Sequence, residues 1–292
     1  MEAKRLRKLS FNLLKILVSL GLLYLVFRKI PFNEISTLWN GINPVWLAAA
    51  AALFLASQLL STVRLGYFFY ANDFHLSFRS NLELYFLGMF YNFFIPGGIG
   101  GDAYKIYLLK RKFGWNPKKL TSAVFNDRLS GLIAICLLIC LLAAILLKQY
   151  LLPFIFLAAV GLIAGYSIVK KLFPGFSKIY FKSLLLSITV QLLQVCCFIL
   201  LLKSIGVNEN FPVYALLFLA SSVLSLISFA GIGVREMLFL QASKYFQFNP
   251  HFSVSASLLF TLITAFFSLF GLYFQIRKVN LTLTESHEIP QE

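Results

Sequence analysis

Phe94-Ile95-Pro96-Gly97-Gly98-Ile99-Gly100-Gly101-Asp102 is an apolar run broken by glycines, a proline and an acid. Ser228-Phe229-Ala230-Gly231-Ile232-Gly233-Val234-Arg235-Glu236 repeats the pattern. Gly98-Ile99-Gly100 and Gly231-Ile232-Gly233 lie 133 residues apart, close to half of the 292-residue chain. In hydrocarbon every backbone N–H and C=O needs a partner, so a helix breaks only where protein or water covers the break. Two such breaks in corresponding halves point to a transport site.

The composition sets the medium. The chain is 59% hydrophobic, with 32 Phe and only 13% charged residues, which excludes a soluble globular domain. The net charge of +15 is carried between apolar runs. It therefore reads as positive-inside bias beside an anionic lipid surface, and no nucleic-acid partner is expected. Cys136, Cys140, Cys196 and Cys197 sit inside apolar stretches, and His75, His251 and His287 have no metal-ligand spacing, so no metal or cofactor is expected. Met1–Ser10 carries four basic residues ahead of an apolar run with no small-residue cleavage site. That pattern predicts an uncleaved first helix with a cytoplasmic N-terminus.

Runs of roughly 20 apolar residues mark spanning helices, and they occur at 11–27, 45–70, 122–147, 151–169, 180–202 and 253–276. Leu82–Ile95 has 14 residues, about 21 Å of helix against a core about 30 Å thick. Seven basic residues lie between Ala71 and Thr121. A crossing at Leu82–Ile95 would put six of them outside, against the positive-inside rule. A segment that enters, turns at Pro96–Gly101 and returns along Asp102–Lys112 keeps all seven inside. The second break reads the same way, with arms at 212–231 and 235–248, although residues 212–230 are also long enough to span. The resulting topology places 18 basic residues in the cytoplasm and six outside, with Arg64 and Arg128 in the membrane.

The predicted fold is an all-α polytopic membrane protein of eight apolar segments: six spanning helices plus two re-entrant helical hairpins in an inverted repeat. Residues 1–278 form a single integral membrane domain with pseudo-repeats of about 1–147 and 148–278, and 279–292 is a disordered polar tail. A shift of 133 carries 45–70, 82–112 and 122–147 close to their counterparts in the second half, while 11–27 falls on 144–160, a poorer match to 151–169.

At each hairpin tip a return helix starts near mid-membrane, where unsatisfied N–H groups and a positive dipole end suit an anion such as phosphate. The glycines Gly97, Gly98, Gly100, Gly101, Gly231 and Gly233, with Pro96, let a headgroup approach the backbone. The alternative is a tight turn packed between helices. Intramembrane charges are costly and usually functional; these are Arg64, Asp102, Lys105, Asp127, Arg128, Arg235 and Glu236. A network among them leaves one or two cations for an anionic substrate, or is a structural salt-bridge cluster, and Arg64 could also snorkel to the interface. Asn92, one turn before the first tip, could line the cavity or cap freed backbone groups. Gln191 and Gln194 are expected to bridge helices. No nucleotide-binding, serine-hydrolase or zinc motif is present.

These residues resemble the membrane region of the lysylphosphatidylglycerol synthases, the flippase-like family. The resemblance rests on Arg64 closing its helix, on Asn92-x3-Pro96-Gly97-Gly98-x-Gly100-Gly101-Asp102, on Asp127-Arg128-Leu129, and on Gly231-x-Gly233-x-Arg235-Glu236. Lys105 stands where the family pattern has an arginine, and Phe229-Ala230 where it often has a proline and a glycine. The resemblance implies lipid translocation, without the soluble aminoacyl-transfer domain of the full-length synthases.

The leading expectation is a lipid translocase of the bacterial cytoplasmic (inner) membrane, with both termini cytoplasmic. It would move a phospholipid or other phosphate-headgroup lipid between leaflets, and it would not be an enzyme. Its partners would be anionic membrane phospholipids, with a second copy or a lipid enzyme as protein partners. A membrane subunit assisting a lipid-modifying enzyme or glycosyltransferase is the alternative. A phosphatidylglycerol lysyltransferase as such would need a domain for charged tRNA.

Overall fold

The computed structural model describes residues 41–94, 100–227, 234–277 and 279–284. The predicted first helix at 11–27 lies outside them, as do Pro96, Gly97, Gly98, Gly231 and Gly233. The described residues form α1 (Pro44–Tyr70), α2 (Phe78–Phe94), α3 (Gly100–Phe113), α4 (Pro117–Leu146), α5 (Leu151–Leu172), α6 (Tyr180–Ser204), α7 (Phe211–Ile227), α8 (Val234–Phe246) and α9 (Pro250–Arg277). Among the described residues, five helical stretches are long and apolar enough to cross a membrane: Pro44–Tyr70, Pro117–Leu146, Lys148–Leu172, Pro174–Ser204 and His251–Arg277. They match five of the six predicted spans.

Asn-Pro pairs start three of these helices. The Asn43 side chain accepts the Val45 N–H at 3.0 Å, Asn116 accepts that of Lys118 at 2.9 Å, and Asn249 accepts that of His251 at 3.0 Å. Asparagine supplies the missing acceptor, and proline, which has no N–H to satisfy, fits the first turn. The cap at Asn116 explains why α4 starts at Pro117 rather than 122. In the same way Ser77 accepts the Ser80 N–H at 3.3 Å, so α2 starts at Phe78, ahead of the apolar run.

The two halves repeat. Adding 133 to the bounds of α2 gives 211–227, those of α7, and α1, α3 and α4 fall within three residues of α6, α8 and α9. Turn geometry repeats as well. Asp73 and Gly206, 133 apart, both have positive φ (62° and 92°), as do Gly114 and Gln247 (69° and 54°). The hydrogen bonds that end α1, Phe74 N–H to Phe69 C=O and Asp73 N–H to Tyr70 C=O, recur as Val207 to Leu202 and Gly206 to Lys203.

The repeat is inverted. The Asn43 N–H donates to the Ser204 carbonyl (2.8 Å), Gln194 Nε2 donates to Ser57 Oγ (3.4 Å) and Arg64 Nη1 donates to Ser187 Oγ (2.9 Å). Residue numbers rise along α1 as they fall along α6, so the paired helices run antiparallel. Each half's hairpin packs on the other half's last helix, α2 on α9 and α7 on α4. Gly271 permits the first contact, since a methyl there would overlap the Phe86 carbonyl. Stacked and edge-on rings of Phe54, Phe198, Phe218, Phe239, Phe260 and Phe267 fill one core.

The bundle has a basic end. Asn72 Nδ2 donates to the Lys119 carbonyl, the Thr284 N–H to the His75 carbonyl, and Phe68 packs on Phe176. These contacts gather the helix ends bearing Arg79, Lys110, Arg111, Lys112, Lys118, Lys119, Lys170, Lys171, Lys178, Lys182 and Arg277. Lys148, Lys203 and Lys244 lie at the other.

The start of the polar tail departs from expectation. Residues 279–284 are ordered: Leu281 is buried, and Leu76 and Leu283 form an isolated antiparallel bridge. Ser77, Ser80 and Thr282 share side-chain hydrogen bonds of 2.8–3.2 Å. Polar composition predicts disorder only where no partner offers hydrogen bonds, and the turn before α2 offers them.

Candidate functional site

The first hairpin closes tightly because of two glycines. A methyl at Gly88 would overlap the Lys105 stem, and one at Gly101 would overlap the Gly88 carbonyl. Tyr91 and Tyr104 pack with ring centroids 4.4 Å apart. Gly88 faces Gly101 and Lys105 while Tyr91 faces Tyr104, so α3 runs back along α2 as the glycine break predicts. The second hairpin has the same form: Arg235 lies over Phe218, and Tyr214 meets Phe239.

At the first tip, Asn92 Oδ1 accepts the Gly101 N–H at 2.8 Å. One orphan donor of the α3 N-terminus is therefore already satisfied. Asn92 Nδ2 lies 3.5 Å from Asp102 Oδ1. Asp102 carries two cations. Lys105 Nζ donates to Oδ1 at 3.1 Å, and Arg128 Nε reaches Oδ2 from α4 at 2.9 Å. The Lys105 ammonium also sits 5.2 Å from the centre of the Tyr85 ring.

A second group lies one residue along α4. Arg64 Nε donates to Asp127 Oδ1 at 2.8 Å and its Nη1 to Ser187 Oγ at 2.9 Å, with Ser130 Oγ 3.0 Å from that hydroxyl. The third group is in the other half. Arg235 Nε donates to Ser221 Oγ at 3.1 Å, and the guanidinium lies 5.0 Å and 4.8 Å from the Phe218 and Phe260 ring centres. Glu236 belongs to α8, but its side chain is outside the described residues.

Thus the structure divides the expected network. Asp102, Lys105 and Arg128 form one group, Arg64 and Asp127 its neighbour, and Arg235 is held by a serine and two phenylalanines. In the first two groups three cations meet two carboxylates. Arg64 and Lys105 are buried and matched. Arg64 does not snorkel; it cross-links α1, α4 and α6. The surplus charge coincides with exposure on Arg128, whose side chain is 46% accessible. Among the described residues its Nε is hydrogen-bonded and its terminal nitrogens are not. A guanidinium with a free fork binds a phosphate or carboxylate in two-point fashion.

Sequence reasoning did not single out Ser130, Gly88 or Ser221. Gly88, alone in an aromatic arm one turn before Asn92, is a signal that could have been read. The serines give none, because a serine inside a helix more often bonds its own backbone, as Ser130 and Ser221 also do.

A family model described as "Lysylphosphatidylglycerol synthase TM region" matches residues 12–183. That is more than half of the chain, and it includes both groups of the first half except Ser187. No curated protein matches the chain. No solved structure matches it either.

Proposed function

The chain belongs to the lysylphosphatidylglycerol synthase transmembrane-region family, and from that premise we propose that it moves a phosphate-headgroup lipid between the leaflets of a bacterial cytoplasmic membrane. It is a multi-pass membrane protein whose family is linked to lipid handling. The observation that carries the finer reading is Arg128. It is a half-exposed guanidinium, ten residues or about 15 Å of helix from Lys118, near the middle of a bilayer core about 30 Å thick. A charge at that depth is expensive and marks a substrate or ion path.

In this reading the basic end is cytoplasmic. A headgroup phosphate takes the free fork of Arg128 while Asp102 holds Nε and keeps the guanidinium aimed. The inverted halves then rock about the α1–α6 contact to expose the site to the other side. Arg235, in its aromatic and serine setting, is the cation met from the opposite side.

The test is a leaflet-exchange assay. Purified protein is placed in vesicles that carry fluorescent phospholipids of anionic or zwitterionic headgroup. The expected result is headgroup-selective exchange that Arg128→Gln lowers about tenfold to a hundredfold, the value of one to two charge-assisted hydrogen bonds. Absent exchange by folded protein, or exchange blind to headgroup, would overturn the reading.

A further inference from the structure

An apolar groove lies away from the charged groups. Its walls are the start of α1, with Ile42, Leu47 and Ala51, and the middle of α9, with Leu259, Ile263 and Phe266, and it encloses about 490 Å³. Among the described residues, no charged side chain lines it. Leu259 and Ile263 form a buried floor, while Phe266 on the rim is 60% exposed. The exposed face continues along α9 through Phe270 and Tyr273 at helical spacing.

The other half shows what covers such a surface. The residues 133 further on from Leu47 and Ala51 are Tyr180 and Leu184, and those 133 before Phe266, Phe270 and Tyr273 are Ile133, Leu137 and Cys140. Tyr180 and Leu184 are buried, and the other three are half-buried. The cover is α5. A methyl added at Gly165 would lie 2.7 Å from the Tyr180 hydroxyl oxygen and 3.1 Å from Ile133 Cδ1. The Tyr180 hydroxyl donates to the Leu162 carbonyl at 3.3 Å, and Tyr166 meets the Tyr180 ring edge-on. The helix that precedes α6 in the chain thus lies across the α4–α6 surface equivalent to the α1–α9 groove.

In the first half the apolar segment that precedes α1 is 11–27, which lies outside the described residues. We propose that residues 11–27 of the same chain occupy the α1–α9 groove, lying there as α5 lies on α4 and α6. The groove begins at Ile42, where the chain from that segment enters α1. The segment is therefore tethered at the groove's mouth, and it competes with lipid and with a second copy at a high effective concentration. Residues 28–43 join it to α1, a longer link than residues 173–179 between α5 and α6. That extra length explains why 11–27 falls on 144–160 rather than on 151–169: it shifts the numbering of the helix and not its place. Docked there, the helix covers the rim at Phe266 and closes this side of the bundle to lipid.

The full chain carrying Phe266→p-benzoylphenylalanine is reconstituted in vesicles of phosphatidylglycerol and phosphatidylcholine, irradiated and digested with trypsin. Leu47→p-benzoylphenylalanine repeats the measurement from the α1 wall, so that neither substitution decides alone. Ile163→p-benzoylphenylalanine on the outer face of α5, 66% exposed, reports contact with lipid. The expected adduct from either wall is the tryptic peptide 16–28, in a chain of unchanged mass on a gel, with a loss of lipid adducts relative to position 163. Lipid adducts at 266 and 47 in the same yield as at 163 would overturn the assignment. So would capture of another segment from both walls. Peptide 16–28 found only in chains of doubled mass would give the groove to a second copy and overturn it as well.

Discussion

Gln58 and Gln191 occupy equivalent places in the two halves, and only one of them is satisfied. Gln58 Oε1 accepts the Tyr85 hydroxyl at 3.2 Å, while Gln191 Oε1 is buried with no partner among the described residues. The residue equivalent to Tyr85 is Phe218, which has no donor. An orphaned buried acceptor costs about 1–3 kcal/mol. Gln191→Leu should therefore leave stability unchanged or raise it, whereas Gln58→Leu should lower it by about 1 kcal/mol by removing the Tyr85–Gln58 hydrogen bond. Thermal unfolding in detergent compares them, and equal losses in both variants would contradict the assignment.

Arg64 and Arg128 should behave as opposites. Arg64 is matched to Asp127 and buried, and removing one member of such a pair leaves a bare charge at a cost of about 3–5 kcal/mol. Arg64→Met should unfold the protein or lower its melting temperature sharply, and Arg64→Met/Asp127→Leu should recover much of the loss. Arg128→Gln, on a half-exposed side chain, should melt close to wild type while losing headgroup selectivity. A stable, transport-deficient Arg64→Met would place Arg64 in the substrate path instead.

Gly88 is a steric position. A methyl there meets the Lys105 stem, while one at Gly161 meets nothing within 4 Å. Gly88→Ala should displace the Lys105 ammonium from Asp102, because the atoms in the way are the movable end of that side chain, and should destabilise by about 1–3 kcal/mol through the buried charge-assisted bond that is lost. Gly161→Ala should be neutral or slightly stabilising, since alanine is the better helix former. Comparable melting temperatures for the two variants would argue that the hairpin arms are not in contact at Gly88.

The segment after α9 straps the base of the first hairpin. The Ser77 N–H donates to the Thr282 carbonyl at 3.1 Å and the Thr284 N–H to the His75 carbonyl at 3.0 Å, on either side of the Leu76–Leu283 pair. That makes Leu76 and Leu283 a closely spaced antiparallel pair, within the Cα range of a disulfide. With Cys136, Cys140, Cys196 and Cys197 replaced by alanine, Leu76→Cys/Leu283→Cys should oxidise to a form of altered gel mobility. A control pair, Leu76→Cys/Lys148→Cys, joins opposite ends of the bundle and should not. Failure of the first pair under oxidant would show that the strap is absent in the membrane.

The membrane class, five described spans and the antiparallel pairing of α2 with α3 and of α7 with α8 were legible in the sequence. Lipid burial demands apolar runs of fixed length, and a backbone break in such a run needs glycine or proline. The repeat was legible through Gly98-Ile99-Gly100 and Gly231-Ile232-Gly233, and a further sign stood at Asn116-Pro117 and Asn249-Pro250. What only the tertiary structure decided was the pairing of charges. Asp102 and Arg128 are 26 residues apart, and Arg64 and Ser187 are 123. Whether a cation is spent or free depends on contacts of about 3 Å between helices, which no local pattern encodes. The sequence marked Arg64, Lys105, Arg128 and Arg235 as intramembrane cations, and packing fixed what each one meets. It neutralised the first two, set Arg235 against two rings and a hydroxyl, and left the outer nitrogens of Arg128 without a hydrogen bond among the described residues.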